Sequence, residues 1–227
     1  MDLETDEVRV GPYRVSIIRD DQYIGNCLRR GAEWDSWMRD DLPHLVRPGT
    51  DILDVGGNIG WNALMFSEYA PVHTFEPLYH PVISKNIAQN TTLHPITLHP
   101  MGLSERKQVL PIFLPKRDGS VCNYGGSSLA PPTATSHEKV GVDVELDTLD
   151  AVYTGTPSLI KLDVELHELE VLKGAEHTIR KHLPSMYVEI HDMSGPVPKF
   201  LAELGYTRCI ARPEHNYLFL SPVHNPN

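Results

Sequence analysis

Nowhere does this 227-residue chain approach the roughly 20 consecutive apolar residues that a membrane-spanning helix needs. Cysteine is scarce. Cys27, Cys122 and Cys209 make an odd number with no close pair, which excludes a disulfide framework and a cysteine-rich zinc site. The first seven residues are acidic and lack the basic-then-apolar order of a signal peptide. These absences point to a soluble, cytoplasmic protein with reduced thiols, in which the sequon Asn90-Thr91-Thr92 is inert. Positive charge is also short, with 20 Lys and Arg against 30 Asp and Glu and a formal charge of −10. A phosphate backbone rewards clustered cations, so nucleic acid is disfavoured as a partner. The dense basic clusters, Arg29-Arg30 and Arg180-Lys181-His182, read as solvated helix ends.

What is present is an α/β pattern. Hydrophobic residues make up 41% of the chain, enough for a sizeable core. Residues 8–10 and 13–18, split by Gly11-Pro12, read as a hairpin, and 32–46 carries apolar residues at helical spacing with Pro43 near its end. From residue 52 onward strands and helices alternate: strands at 52–55, 72–75, 96–100, 158–164 and 186–190, helices at 61–69, 81–89, 166–182 and 197–204. Two final strands, 207–211 and 217–220, have no helix between them. The alternation predicts a doubly wound, mostly parallel seven-stranded sheet with helices on both faces and a terminal antiparallel strand. Strands such as Leu159-Ile160-Lys161-Leu162 suit burial on both sides. We divide this single domain into an N-terminal hairpin and helix (1–47), a glycine-turn half (51–102), a β insertion (103–157) and a second half with a terminal hairpin (158–227). The insertion holds extended stretches at 108–114 and 140–146. Between them, 116–138 is rich in Gly, Ser, Pro and Thr, and a loop of that length is either functional or disordered.

The first half-unit joins an apolar strand to Asp54-Val55-Gly56-Gly57-Asn58-Ile59-Gly60, then a helix, a second strand and the terminal acid of Phe75-Glu76-Pro77. Two phosphate signatures are missing from the turn. No Lys follows Gly60, which disfavours a P-loop, and neither register supplies the glycines of a dinucleotide fingerprint. The remaining pattern, Asp54-x-Gly56-x-Asn58-x-Gly60, resembles the S-adenosylmethionine turn with Asn58 in place of its middle glycine. Such a turn lets backbone N–H groups approach the amino-acid head of that cofactor. Asp54 then faces the ammonium side, Glu76 accepts both ribose hydroxyls, and adenine lies near Met101-Gly102.

In the second half, Lys161-Leu162-Asp163-Val164-Glu165-Leu166-His167-Glu168 follows an apolar strand. With Asp54–Gly60, Phe75-Glu76-Pro77 and Leu146-Asp147-Thr148-Leu149-Asp150, it resembles the FkbM family of S-adenosylmethionine-dependent O-methyltransferases over residues 33–191. The resemblance implies a Rossmann-like class I methyltransferase fold, S-adenosyl-L-methionine as cofactor with S-adenosyl-L-homocysteine as product, and a hydroxyl acceptor on a sugar, glycan or glycosylated small molecule. The chain departs from the family at Leu166, where glycine is usual.

Ligands of open α/β sheets sit beyond the C-terminal ends of the strands. Asp163 and Glu165 end one strand there, and Glu189 and His191 end the next. A sugar hydroxyl must lose its proton, so we take Asp163, Glu165 or Glu189 as proton acceptor with His191 positioning or relaying. These four groups also offer ligands that suit Mg²⁺ or Mn²⁺, though nothing in the spacing requires a metal. Tyr124, Ser127 and His167 are candidate acceptor-binding residues, with the Tyr124 ring offering a face to a sugar. Glu168, Glu170 and Glu176 read as a solvated helix face. Two alternatives remain open at this stage. One is a catalytically silent cofactor-binding module. The other is a methyltransferase for nitrogen or nucleic acid, which the acidic charge and the absence of an Asn/Asp-Pro-Pro-aromatic motif disfavour.

Overall fold

The computed structural model describes residues 3–114, 123–129 and 140–223. Cys122 and most of the 116–138 stretch lie outside these. The chain opens with an antiparallel pair, β1 (Thr5–Val10) and β2 (Tyr13–Ile18), followed by α1 (Ile24–Arg29) and α2 (Met38–Leu45). Next come β3 (Asp51–Val55), α3 (Trp61–Phe66), β4 (Val72–Phe75), α4 (His80–Ala88) and β5 (Ile96–His99). The insertion contributes β6 (Gly102–Leu103), β7 (Gln108–Leu114) and β8 (Val140–Asp147), which pair as a three-stranded sheet in the order β6-β8-β7. After α5 (Leu149–Val152) come β9 (Pro157–Leu162), α6 (Glu168–Gly174), α7 (Glu176–His182) and β10 (Ser185–Glu189). The chain finishes with α8 (Pro196–Glu203), β11 (Cys209–Ala211) and β12 (Asn216–Phe219).

The main sheet has seven strands in the order β11-β12-β10-β9-β3-β4-β5. β10, β9, β3, β4 and β5 are mutually parallel, and β12 enters antiparallel between β10 and β11. Strand direction of winding reverses at β3, whose neighbours β4 and β9 lie on opposite sides of it. A crevice opens there at the C-terminal ends.

Alternation along each strand builds two cores. Leu53, Val55, Ile160, Leu162, Met186 and Val188 pack on one face with Val171, Leu172, Ile179 and Leu201 of α6, α7 and α8. Ile52, Leu159, Tyr187 and Leu218 pack on the other with Met38, Leu42, Ala63 and Phe66 of α2 and α3. Burial on both faces explains why these strands read as unbroken apolar runs. A third cluster joins β2, α1 and α4 to the insertion sheet through Ile17, Leu28, Val82, Ile112 and Val144. Among the described residues, no helix is long and apolar enough to cross a membrane.

Three elements differ from the sequence reading. α1 is additional. The helix expected over 32–46 begins only at Met38, because Asp35 takes a left-handed conformation (φ 52°) and interrupts it. The helix expected over 166–182 is two, broken at Ala175 (φ −112°, ψ 4°). Gly174 there lies so close to the Ser104 carbonyl that a Cβ would sit 1.9 Å from its oxygen, a tertiary contact that local spacing does not reveal.

Candidate active site

The turn after β3 is shaped by close backbone approach. Gly56 (φ +88°) faces the Asp163 carbonyl, and a Cβ there would sit 1.8 Å from that oxygen. Asp163 N–H in turn donates to the Val55 carbonyl at 3.1 Å, so the two strand ends are locked together. Asn58 occupies the left-handed region at φ 49°. Asn tolerates that region better than most residues, which explains how it replaces a glycine. Its Oδ1 accepts from Ile59 N–H at 2.8 Å, and its own N–H donates to Glu76 Oε2 at 3.0 Å.

Glu76 is 6% exposed and closes the turn from below. Its Oε1 accepts from the N–H groups of Leu78 (2.7 Å) and Tyr79 (3.1 Å). Two donors saturate Oε1, so a lone pair remains on Oε2 alone, fewer than two ribose hydroxyls require in this arrangement. Burial pushes the carboxyl up to about 7, against the lowering effect of its three N–H donors.

Thr74, Asp54, Lys161 and Tyr187 form a row across β4, β3, β9 and β10, each in register with the next. Asp54 Oδ2 accepts from Thr74 Oγ1 at 3.0 Å, while Oδ1 is buried without a partner. Lys161 is 3% exposed and donates to Asp163 Oδ2 at 2.9 Å. Burial alone would push its ammonium down; the charges of Asp163, Asp35 and Asp54 outweigh that and hold it above the usual lysine value. Burial raises the carboxyls of Asp54 and Asp35, and Asp35 accepts from Asn62 Nδ2 at 3.0 Å.

Beyond β9 the backbone turns through two left-handed residues, Glu165 (φ 53°) and Leu166 (φ 75°). Glu168 holds this turn, its Oε1 accepting from the N–H groups of Val164 (3.2 Å) and Leu166 (3.3 Å). Glu168 is therefore not on a solvated face: it is 6% exposed and caps the turn that precedes its own helix. Leu166 is 61% exposed and gains little from packing. A non-glycine residue in that region costs about 1–2 kcal/mol. Leu166→Gly should raise the melting temperature by about 2–8 °C, read by thermal unfolding. No rise would mean that the leucine side chain is held by contacts that offset the strain.

Glu189 ends β10, with Oε1 3.7 Å from His191 Nε2 and Oε2 buried without a partner. Burial first, then the negative charges of Asp163 and Glu165, push its carboxyl up to about 9. His191 is about half exposed and its ring centroid lies 4.9 Å from that of His215. His167 Nε2 sits 2.9 Å from Ser104 Oγ, and burial lowers its pKa.

These groups surround one cavity of about 500 Å³. Of the candidate catalytic, cofactor-binding and acceptor-binding residues read from the sequence, all but Asp54, Gly60, Met101 and His191 line it. Met101 packs instead against the core. Tyr124 lines the cavity but does not present an open ring face. It is 5% exposed, its ring meets that of Tyr79 edge-to-face with centroids 6.0 Å apart, and its hydroxyl donates to Asp20. Ser127 Oγ is 2.7 Å from the Tyr79 hydroxyl, so residues 123–129 form a wall braced on the residue that precedes α4. Sequence reasoning missed Asp35, Lys161, His215 and Asn216, which also line it. Lys161 left a signal, a lone cation inside an apolar strand; the others left none.

Residues 54–208 match the family described as the methyltransferase FkbM domain. Hexuronic acid methyltransferase AglP of Haloferax volcanii is 31% identical over 195 residues, which cover 85% of this chain and 70% of that protein. Methyltransferase sdnD of Sordaria araneosa is 31% identical over 189 residues, covering 67% of this chain and 71% of that protein. The crystal structure of methyltransferase FkbM from Methylobacillus flagellatus KT aligns over 88% of this chain and 66% of that one, at 14% identity and a TM-score of 0.49. A domain match of that extent, together with two methyltransferase relatives above 30% identity, places the chain in the FkbM family, and it is a methyltransferase.

Proposed function

We propose that this methyltransferase uses S-adenosyl-L-methionine to methylate a hydroxyl of a sugar, a glycan or a glycosylated small molecule. The observation that carries the reading is that a single cavity joins the glycine turn and Glu76 to the acids at the ends of β9 and β10. The residues present fit the cofactor. Gly56 and Gly57 expose backbone to the cavity, and Glu76 Oε2 keeps an acceptor site. When bound, the cofactor supplies an electrophilic methyl group on a cationic sulfur. The surplus of carboxylates over the buried ammonium of Lys161 favours that cation. Gly102 at the start of β6 borders the region suited to adenine.

At the other end of the cavity, Glu189 is the best-placed proton acceptor. Asp163 is engaged by Lys161, whereas Glu189 has an oxygen with no partner. A carboxyl held up at about 9 is mostly protonated near neutral pH; the small ionised fraction is a stronger base than an ordinary carboxylate, and a bound cationic cofactor enlarges that fraction. A sugar acceptor is supported by the relative named for hexuronic acid. Incubation with isotopically labelled cofactor and a panel of glycans and nucleotide sugars, followed by mass spectrometry, tests the reading. A labelled methyl on one hydroxyl supports it; label found only on nitrogen or nucleic acid overturns it.

Glu76 adds a pH dependence. A ribose hydroxyl donates to Oε2 more strongly when the carboxylate is ionised. Burial holds the free-protein value near 7, with the Asp54 charge acting in the same direction. The dissociation constant for the cofactor should therefore rise as pH falls below about 7, by up to about tenfold per unit, and level off above it. Titration calorimetry from pH 5.5 to 8.5 checks this. A flat profile would remove Glu76 from the ribose site.

A further inference from the structure

We infer that Glu165, Glu189 and His191 hold a divalent cation of the manganese or magnesium class at the acceptor end of the cavity. One donor atom from each lies within 4.8 Å of the other two. Three points no farther apart than that share a centre within about 2.8 Å of each, close to metal–oxygen bond lengths of about 2.0–2.6 Å. Small side-chain rotations complete the approach.

The site is more than a patch of acids, because a fourth donor faces it from another strand. Asn216 pairs with Glu189 across β10 and β12, so the two side chains share a face with Cβ atoms about 5 Å apart. It is 6% exposed and lines the same cavity. Its Nδ2 is committed to the carbonyls of Pro213 and Glu214, at 3.2 Å each. That fixes the amide orientation and leaves Oδ1 buried with no partner, as is Glu189 Oε2. The unpartnered, buried Asn216 oxygen is a desolvation cost that a cation relieves, and Glu189 Oε1, 3.7 Å from His191 Nε2, is the carboxylate oxygen on the side of the cluster, which leaves Oε2 to take up a proton. The backbone is arranged to bring the donors together. Glu165 stands in a left-handed turn that Glu168 pins, and left-handed Glu214 and His215 deliver Asn216 from the other side. Two carboxylates, an amide oxygen and one imidazole suit manganese or magnesium rather than a thiolate-seeking metal.

The role of the ion rests on the hydroxyl-acceptor reading. It draws in the acceptor oxygen and makes its proton more acidic. The oxygen forms a bond to the methyl carbon, the carbon–sulfur bond breaks with its electron pair staying on sulfur, and the proton leaves to a carboxylate oxygen that is not bound to the metal. No oxidant or reductant is involved.

Electron paramagnetic resonance of Mn²⁺ titrated into the full chain, without cofactor or acceptor, tests the inference. The expected result is one bound Mn²⁺ per chain, with affinity at least tenfold weaker in Glu165→Gln and in His191→Ala. His191 is half exposed, so its truncation leaves folding intact and the comparison valid. Glu170→Gln, away from the cluster, should bind as the parent does. No bound ion up to millimolar Mn²⁺, or equal affinity in the two site variants, overturns the inference. Undiminished methylation by protein shown to be metal-free overturns the role while leaving the hydroxyl acceptor in place. Bound Mn²⁺ with no sugar methylated keeps the metal site and fails the acceptor reading instead.

Discussion

Glu189→Gln should keep cofactor affinity within about twofold of the parent and lower turnover by about 10²- to 10⁴-fold, the usual contribution of a positioned general base. The substitution changes almost no volume. Glu189 is separated from the glycine turn by β9, and from Glu76 by β9 and β3, since the turn follows β3 and Glu76 follows β4. A carboxamide fills the same place but cannot take up a proton. Burial and the charges of Asp163 and Glu165 push Glu189 up to about 9, so near neutral pH the residue replaced is mostly a neutral acid and the amide matches its charge as well as its size. Folding should therefore be unharmed, and a thermal melt run beside the kinetics separates lost chemistry from lost structure. Single-turnover rates with saturating labelled cofactor give the cleanest reading, because product release does not enter them. Parent-like rates would take Glu189 out of the reacting set and leave Asp163 or Glu165 to accept the proton.

The division between what local sequence reveals and what it conceals follows from where each residue finds its partners. β4 and β7 fall where apolar spacing puts them, because a short run bounded by turns is a local signal. The acids at the ends of β9 and β10 are also legible, since parallel strands carry their ligands at the C-terminal edge. The break at Gly174-Ala175 is not, because it depends on the Ser104 carbonyl about seventy positions earlier in the chain. Glu168 has the periodicity of an exposed helix face, yet its partners are the N–H groups of Val164 and Leu166 just ahead of the helix. Helical spacing cannot register a bond made backward into a turn. Tyr124 in a glycine-rich loop suggests an open ring. Asp20 and Tyr79, far away in sequence, close it off. Asp35 and Asn216 enter the cavity from opposite ends of the chain, and only the fold brings them to Lys161 and Glu189.

Gly56→Ala should be the most damaging single-methyl change in the molecule, because two costs meet at one atom. The first is conformational. At φ +88° an alanine pays about 1–2 kcal/mol that glycine does not. The second is a collision with backbone that has nowhere to go. The new Cβ would lie 1.8 Å from the Asp163 oxygen, and real Cβ contacts essentially never fall below 3.0 Å. Asp163 must retreat by about 1.2 Å, yet its N–H is tied to Val55 and its carboxylate to Lys161. Forcing atoms into a packed site adds about 1–3 kcal/mol. The sum, about 2–5 kcal/mol, corresponds to a fall in melting temperature of roughly 5–20 °C for a chain of this size. Function should suffer more than stability. The strand that must move carries Asp163 and leads into Glu165, and a displacement of about 1 Å can cost 10²-fold in rate. Gly49→Ala is the matched control, with a similar φ of +74° and no atom within 4 Å of its new Cβ. It should lose only the conformational term, about 1–2 kcal/mol, and retain activity. Calorimetric melts and cofactor titrations of both variants decide the matter. If Gly56→Ala falls no further than Gly49→Ala, the two strand ends are not locked, and the close approach of Gly56 to Asp163 does not set the geometry of the site.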